Sequence, residues 1–159
     1  MRITVLCVGK CKESFYAQAV AEYVKRLGRY VKLDIVEVAD EKTPEEAGEN
    51  RMKRIREKEG ERLLARIRED GYVIALAIRG IALDSEELAA RIERLGIEGK
   101  SHLIFVIGGS LGLSEAVLAR ADFSLSFSRM TFPHPLMRVI LLEQLYRSYR
   151  IMKHEPYHK

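Results

Sequence analysis

Five short apolar stretches, each followed by a segment with helical periodicity, constrain the fold of this 159-residue chain more than any other feature. The stretches are rich in β-branched residues, which favour strands. Residues 103–107 are apolar without interruption, as is typical of a strand buried on both faces of a parallel sheet. The predicted strands are Ile3–Val8, Leu33–Val38, Val73–Ile78, His102–Ile107 and Phe123–Phe127. Their alternation with helices predicts an α/β domain with a mostly parallel sheet of five to six strands flanked by helices.

Helix start and stop signals occupy the intervals between these strands. The predicted helices run from a cap at Ser14 to Gly28, from about Pro44 to Glu69, from a cap at Asp84 or Ser85, from Ser114, and from about Pro135 to Met152. The sequence has no internal repeat and no linker rich in Pro, Gly or Ser. We therefore expect one domain over residues 1–159, a length that suffices for a single core.

The distribution of apolar residues and cysteines limits the class of protein. The longest apolar run, residues 72–78, is far shorter than the ~20 residues needed to span a bilayer. The N-terminal stretch lacks a signal-peptide cleavage motif. Cys7 and Cys11 are too few for a disulfide framework, or for a zinc site by themselves. We expect a cytoplasmic protein with reduced thiols, no membrane segment and no metal.

The positive charge of the chain is confined to its last quarter. Residues 123–159 contain six Lys or Arg and two Asp or Glu, and the rest of the chain is neutral overall. By contrast, residues 45–69 carry eight basic and seven acidic side chains, which is typical of a solvated helix face. We therefore expect an anionic partner to bind the C-terminal quarter.

The last predicted helix is apolar on most of its circumference. At 3.6 residues per turn, Leu141, Leu145 and Tyr149 share one side. Leu136 and Ile140 flank the polar side. Because such a helix must be buried on most sides, we expect it to form the interface of a homodimer.

Two short motifs match catalytic signatures. Residues 108–112 (GGSLG) fit the G-x-S-x-G turn of α/β-hydrolases, with Asp122 and His134 downstream in the order of a triad. A plain glycine turn beside a ligand is the other interpretation, and a serine hydrolase using Ser110 stays an alternative hypothesis. Residues 154–158 (HEPYH) fit the metalloprotease pattern H-E-x-x-H, but Pro156 breaks the helix that such a site requires.

Three loops are expected to meet at one edge of the sheet. They follow the third, fourth and fifth strands, at Gly80, at Gly108 and over residues 127–135. Ligands of open α/β sheets bind outside the carboxyl ends of the strands. The sequence therefore predicts a ligand pocket at this edge that is rich in backbone amides.

Several segments of the chain resemble those of the large-subunit ribosomal RNA methyltransferase H family, which belongs to the SPOUT class of methyltransferases. The similarity extends over essentially the whole chain. The joined Thr-Phe-Pro-His run and the Pro-Tyr-His ending are its most specific parts. The segments are Leu76–Gly80, Phe105–Gly109, Leu125–His134, Arg138–Arg147 and Pro156–Lys159.

The resemblance implies features that composition and periodicity do not. They are a deep C-terminal trefoil knot in the α/β fold, an exception to the general absence of knots, and a homodimer. S-adenosylmethionine is the implied methyl donor, and N3 of a pseudouridine in 23S ribosomal RNA is the implied acceptor; methylation of another RNA nucleotide stays an alternative. The positions that match the cofactor site of the family are Leu76, Gly108, Phe127, Ser128, Arg129, Met130, Thr131 and Phe132.

Methylation at N3 of a pseudouridine requires that the N3 proton leave, which calls for a base or for a charge that stabilises the anion. The candidate catalytic residues are His158, Tyr157, Glu143 and Arg147. We expect His158 to accept the proton or to position the substrate. For Glu143 and Arg147, which are four residues apart, an ordinary helix ion pair is the other interpretation.

The partner implied by the resemblance is ribosomal RNA, either free or within the assembled ribosome. The candidate RNA-binding residues are Arg138, Arg150 and Lys153. Together with Arg129 and Arg147, they should matter more for RNA than the basic residues of the balanced segment 45–69.

Overall fold

The computed structural model describes all residues, 1–159, and contains a five-stranded sheet in which every pair of neighbours is parallel. The strand order is β2-β1-β4-β3-β5. The strands are β1 (Arg2–Val8), β2 (Lys32–Val38), β3 (Tyr72–Ala82), β4 (His102–Ile107) and β5 (Phe123–Ser126). The predicted α/β class and parallel sheet are confirmed.

Five helices connect and follow the strands. They are α1 (Ser14–Leu27), α2 (Glu49–Leu64), α3 (Ser85–Ile97), α4 (Glu115–Arg120) and α5 (His134–Met152). Helix α2 is shorter at both ends than predicted, because Gly48 precedes it in an extended conformation and the chain leaves the helix at residues 65–66, which form a turn. Asp84 caps α3 in a reciprocal capping box with Glu87. Ser14 is the first residue of α1 rather than its cap.

The sheet is covered on both faces, which explains the uninterrupted apolar strands. Along β1, Val5 and Cys7 belong to a core cluster that also contains residues of α1, α3 and α5. The alternate residues Leu6 and Val8 belong to a second cluster with residues of α2 and α4. The α2–α4 layer therefore lies opposite the α1–α3–α5 layer.

The carboxyl-terminal half of β3 is irregular. The β3–β5 register shifts between Leu76 and Ile81. Gly80 lies within this bulge, and a Cβ built on it would be 2.6 Å from the carbonyl oxygen of Ser124. Glycine is thus required here so that the backbones of β3 and β5 can approach each other.

Helix α5 packs inside the protomer as well as presenting an outer face. Leu141, Leu142 and Leu145 are fully buried in the core cluster with α1 and α3, so intramolecular packing accounts for much of its apolar character. Leu136 and Ile140 are half-buried on the outer face. The homodimer stays a prediction, with this face as its proposed contact. No helix is long and apolar enough to cross a membrane.

Candidate active site

A tight glycine turn follows β4 on the side of the sheet where the carboxyl ends of the parallel strands lie, which we call the carboxyl edge. The N–H of Gly112 donates to the carbonyl of Gly109 at 3.1 Å, and Gly112 has a φ of 83°, in the left-handed region that favours glycine. A Cβ built on Gly108 would lie 2.8 Å from the carbonyl carbon of Gly112. The turn therefore presents backbone, rather than side chains, toward the edge.

The loop after β5 is a second compact turn. The hydroxyl of Ser126 donates to the carbonyl of Ser128 at 3.2 Å, and the hydroxyl oxygen of Ser128 accepts from the N–H of Met130 at 2.9 Å. Phe127 and Phe132 are half-buried at the two ends of the turn, whereas Met130 is 73% exposed. These residues form an apolar border around a hydrogen-bonded backbone.

The structure brings two of the three predicted cofactor loops, together with the bulged end of β3, to one edge because β4, β3 and β5 are neighbours in the sheet. The loop predicted at Gly80 is instead part of β3, which continues to Ala82 through the bulge. Leu76 pairs with Leu125 of β5 and is the last residue before the β3 bulge. Gly108 follows β4, and residues 127–132 follow β5. The predicted cofactor residues therefore share the carboxyl edge.

The C-terminal tail reverses direction as soon as α5 ends. His154 has a φ of 55°, and the N–H of Glu155 donates to the carbonyl of Arg150 at 2.9 Å. The guanidinium of Arg150 then makes three contacts. In the tail it donates to the Glu155 carboxylate and to the carbonyl of Pro156 at 2.9 Å, and outside the tail it donates to the hydroxyl of Tyr30 at 3.1 Å. The tail is thereby held against α5 and the turn that follows α1.

This reversal brings the four predicted catalytic residues together. Arg147 forms an ion pair with Glu143 one turn earlier. The Tyr157 hydroxyl donates to Glu143 Oε1 at 3.1 Å, and the Arg147 guanidinium lies 4.7 Å from the centre of the Tyr157 ring. The Nδ1 atom of His158 lies 3.2 Å from Nη1 of Arg147. We name these four residues the tail cluster.

The protonation states within the tail cluster follow from its contacts. A guanidinium can only donate, so Nδ1 of His158 accepts from Arg147 and the imidazole proton is on Nε2. Desolvation, together with the hydrogen bond to Glu143, raises the pKa of Tyr157 to about 12. The hydrogen bond to Glu143 raises the pKa of Arg147. In this arrangement the Tyr157 hydroxyl and Nε2 of His158 are both hydrogen-bond donors.

The first turn of α3 links the tail cluster to the carboxyl edge. The hydroxyl of Ser85 donates to the side-chain oxygen of Gln144 at 2.7 Å, and Gln144 in turn donates to Glu143 at 3.0 Å. Nε2 of His158 lies 3.7 Å from Glu86 Oε1. Because α3 follows β3 directly, the tail cluster lies beside the carboxyl-terminal end of β3.

Arg138 does not take the position expected of an RNA-binding residue. It is 2% exposed and donates to Glu37 and to the carbonyl of Gly9, each at 2.6 Å. Its side chain follows the inward face of α5, and the guanidinium ties that helix to the ends of β1 and β2. The expectation for Arg138 is therefore corrected: it is a structural residue.

Arg150 also differs from expectation, because its donors are directed at Tyr30, Glu155 and Pro156. Its Nε atom is buried without a partner. Arg150 thus positions the tail and is not free to bind phosphate. Lys153 is exposed and in no ion pair, so its predicted RNA contact stays a prediction.

The residues of the hydrolase alternative are far apart in the fold. Ser110 is exposed, with the hydroxyl of Thr43 at 3.5 Å. Asp122 accepts from the N–H of Val73 at the amino end of β3, opposite the edge that carries Ser110. Burial, followed by the charge of Arg138, lowers the pKa of His134. No triad forms. Residues 154–158 lie beyond the end of α5, so they do not form the helical H-E-x-x-H arrangement either.

Sequence reasoning missed Glu59, which lies beneath the glycine turn. It is 4% exposed, and both carboxylate oxygens are within 3.3 Å of a Cβ built on Gly109. One oxygen accepts from the N–H of Glu41 at 3.0 Å, whereas the other has no partner, and burial raises the pKa of the carboxyl. Its burial could have been predicted from the sequence, because Glu59 is four residues from both Ile55 and Leu63 and so lies on the apolar side of α2.

Comparison with known proteins identifies the family. Residues 1–158 match the family model described as "Predicted SPOUT methyltransferase". The chain belongs to the SPOUT methyltransferase family. The Ribosomal RNA large subunit methyltransferase H of Bifidobacterium adolescentis is 62% identical over 159 residues, which cover all of both chains. The protein of the same name from Bacillus pumilus is 58% identical over the same extent.

A solved structure shares the fold of this SPOUT methyltransferase. A probable methylase family protein from Haemophilus influenzae Rd KW20 aligns with a TM-score of 0.55 at 14% identity, over 99% of this chain and 70% of that chain. At this identity the likeness concerns the fold alone. The family match and the curated relatives confirm the resemblance from which a methyltransferase was predicted.

Proposed function

We propose that this chain transfers a methyl group from S-adenosylmethionine to N3 of a pseudouridine in the 23S RNA of the large ribosomal subunit. Full-length relatives at 58–62% identity carry the name Ribosomal RNA large subunit methyltransferase H. The observation that carries the proposal is the folded-back tail, which holds the polar groups of Tyr157 and His158 in a partly exposed cluster on α5.

The carboxyl edge fits S-adenosylmethionine. The Gly108 turn packs two backbone segments together with no side chain between them, because a Cβ on Gly108 would collide with Gly112. The backbone amides of such a turn can hydrogen-bond the polar parts of a nucleoside. The half-buried rings of Phe127 and Phe132 offer apolar contact to the adenine and to the methionine chain. When bound, the cofactor supplies an electrophilic methyl group on a sulfonium centre.

The tail cluster acts on the substrate base. His158 carries its proton on Nε2 and can donate it to a carbonyl oxygen of the pseudouridine, while Arg147 holds a positive charge next to it. Both interactions favour the anion that forms when N3 gives up its proton to solvent water. The anion would then take the methyl group as the bond between that carbon and the sulfonium sulfur breaks. With a pKa of about 12, Tyr157 stays protonated at neutral pH and positions the other groups rather than acting as the base.

Four further expectations belong to the same proposal. They are a single domain over residues 1–159, the deep C-terminal knot of the family, a homodimer through the outer face of α5, and a cytoplasmic location. The half-buried apolar residues Leu136 and Ile140 support the dimer contact. A monomeric mass in light scattering at micromolar concentration would contradict it.

The proposal is tested with ribosomes from a strain that lacks the modification. The unaltered protein and labelled S-adenosylmethionine should yield a single methylated pseudouridine in 23S RNA, located by mass mapping. Removal of residues 157–159 should abolish transfer and leave S-adenosylmethionine binding, measured by calorimetry, unchanged. Removal of Lys159 alone, which is exposed, is the matched control and should retain transfer.

Two results would contradict the proposal separately. Absence of S-adenosylmethionine binding by the unaltered protein would refute the cofactor assignment. Full transfer by the protein without residues 157–159 would refute the role of the tail cluster while leaving the methyltransferase itself in place.

A further inference from the structure

A basic cleft lies between residues 41–42 and helix α2, outside the C-terminal quarter. Four of its six lining residues are cations, one is an acid and one is apolar. They are Glu41, Lys42, Arg51, Arg54, Ile55 and Lys58. Along α2, residues 51, 54 and 58 are three and seven positions apart and so share one face. The cleft therefore concentrates positive charge from two separate parts of the chain.

The charges of this cleft are not neutralised by their neighbours. Glu41 forms its ion pair with Arg62, and Glu49, at the start of α2, forms its ion pair with Arg56. None of the four cleft cations takes part in an ion pair or a side-chain hydrogen bond. The exposed acids Glu57 and Glu61 of α2 form no ion pair and do not line the cleft. Segment 45–69 is thus nearly neutral in composition, but the cations that it contributes to the cleft are not paired with its acids.

The cleft adjoins the proposed cofactor edge. Thr43, one residue beyond Lys42, has its hydroxyl 3.5 Å from that of Ser110 in the glycine turn. The N–H of Glu41 donates at 3.0 Å to Glu59, whose carboxylate lies against Gly109. A strand of RNA whose target base reaches the carboxyl edge could therefore extend its backbone into the cleft.

We propose that this cleft binds phosphates of the substrate RNA next to the target nucleotide. The inference rests on the proposed function and adds a second RNA-binding surface to it. Four unpaired cations within one concave surface suit the regular negative charge of a nucleic-acid backbone. Such contacts position the RNA without reading its sequence, so they should affect affinity and salt dependence rather than the methyl-transfer step.

The test compares two triple variants with the same change in charge. The cleft variant carries Arg51→Gln, Arg54→Gln and Lys58→Gln. The control variant carries Lys32→Gln, Arg66→Gln and Lys100→Gln. These replace exposed, unpaired cations near the amino ends of the strands, on the side of the sheet opposite the carboxyl edge. Affinity for ribosomes that lack the modification is measured between 50 and 200 mM salt, together with kcat, KM for ribosomes and S-adenosylmethionine affinity.

Loss of three phosphate contacts should lower the slope of log affinity against log salt by roughly 2 to 3. Over this fourfold range of salt, the unaltered protein should then lose roughly 20- to 40-fold more affinity than the cleft variant. KM for ribosomes should rise in the cleft variant, with kcat and S-adenosylmethionine affinity unchanged. The control variant should retain the salt slope of the unaltered protein.

Equal behaviour of the two triple variants would overturn the inference, since it would show an effect of net charge alone. That result would leave the proposed function standing, because the unaltered protein would still methylate ribosomes. Failure of the unaltered protein to methylate or bind ribosomes would instead overturn the proposed function, and the role of the cleft with it.

Discussion

Replacing Arg138 with methionine separates the structural role of this residue from the RNA contact expected from sequence. The Arg138 guanidinium holds Glu37 and the carbonyl of Gly9 at 2.6 Å, and it also approaches the carbonyl of Val8 at 3.5 Å. Methionine keeps much of the aliphatic stem and removes every donor. Glu37 then loses its ion-pair partner, and the two carbonyls lose a donor.

The expected cost is about 3 kcal/mol of unfolding free energy. Removing one partner of a buried ion pair costs about 3–5 kcal/mol, because the other charge is left unpaired. Here Arg138 is 2% exposed but Glu37 is 36% exposed, so water can solvate the remaining carboxylate, which places the pair at the lower end of that range. The unpaired carbonyl of Gly9 keeps the cost from falling further.

Urea unfolding at a fixed protein concentration measures this cost. With a denaturant slope of about 2 kcal/mol per molar, the midpoint should fall by roughly 1.5 M. Lys153→Met is the control: Lys153 is exposed and in no ion pair, so the midpoint should move by less than about 0.3 M. If Lys153 contacts RNA, this control should weaken ribosome binding while stability stays the same.

The reasoning would be refuted by an Arg138→Met protein that unfolds at the urea concentration of the unaltered protein and yet binds ribosomes more weakly. Arg138 would then be an RNA contact after all. An intermediate variant adds detail, because Arg138→Lys keeps the charge but cannot donate to Glu37 and Gly9 with the geometry of a guanidinium. The urea midpoint of Arg138→Lys should lie between those of the unaltered protein and Arg138→Met.

Three further perturbations test other parts of the structure. Gly80→Ala places a Cβ 2.6 Å from the carbonyl oxygen of Ser124 and should cost about 1–3 kcal/mol in urea unfolding; Gly48→Ala, with nothing within 4 Å, should cost less than about 1 kcal/mol. Ser110→Ala should keep full methyl transfer, and a fluorophosphonate probe should leave the unaltered protein unlabelled; loss of activity or labelling would revive the hydrolase. Burial raises the pKa of Tyr149 from 10.0 to about 12, so the unfolded chain releases this proton first. The stability that depends on it should be constant below about pH 10 and fall from there to pH 12, with a shallower fall in Tyr149→Phe.

The fold was predictable because its signals are local. Strand β4 (His102–Ile107) begins and ends where predicted, since residues 103–107 are an uninterrupted apolar run with β-branched residues. The cap of α3 was also visible in the sequence as Asp84 followed three residues later by an acid. The convergence of the ends of β3, β4 and β5 at one edge followed from parallel strands alone. Each of these predictions depends only on residues that are adjacent in the sequence, or on the rule that the carboxyl ends of parallel strands lie on the same side of the sheet.

The contacts among the catalytic residues were harder to predict from the sequence, because they depend on how the C-terminal tail folds back onto α5. The pairing of Tyr157 with Glu143 requires the reversal at His154, whose φ of 55° no local rule predicts for histidine. The tautomer of His158 depends on which of its two ring nitrogens contacts Arg147. Sequence reasoning named these residues as candidates, but it could not distinguish a proton acceptor from a donor.

Charge shows most clearly why sequence patterns mislead here. The C-terminal quarter carries the whole net charge of the chain, yet Arg138, Arg147 and Arg150 are engaged by partners within the protein. Segment 45–69 is nearly neutral, yet Arg51, Arg54 and Lys58 remain unpaired beside one cleft. Net charge counts residues along the chain, whereas an anion responds to cations that are unpaired and close together in space. The expectation that C-terminal cations outrank those of α2 in RNA binding should therefore fail for Arg138 and Arg150, and ranking the cations by ion pairing rather than by position should succeed.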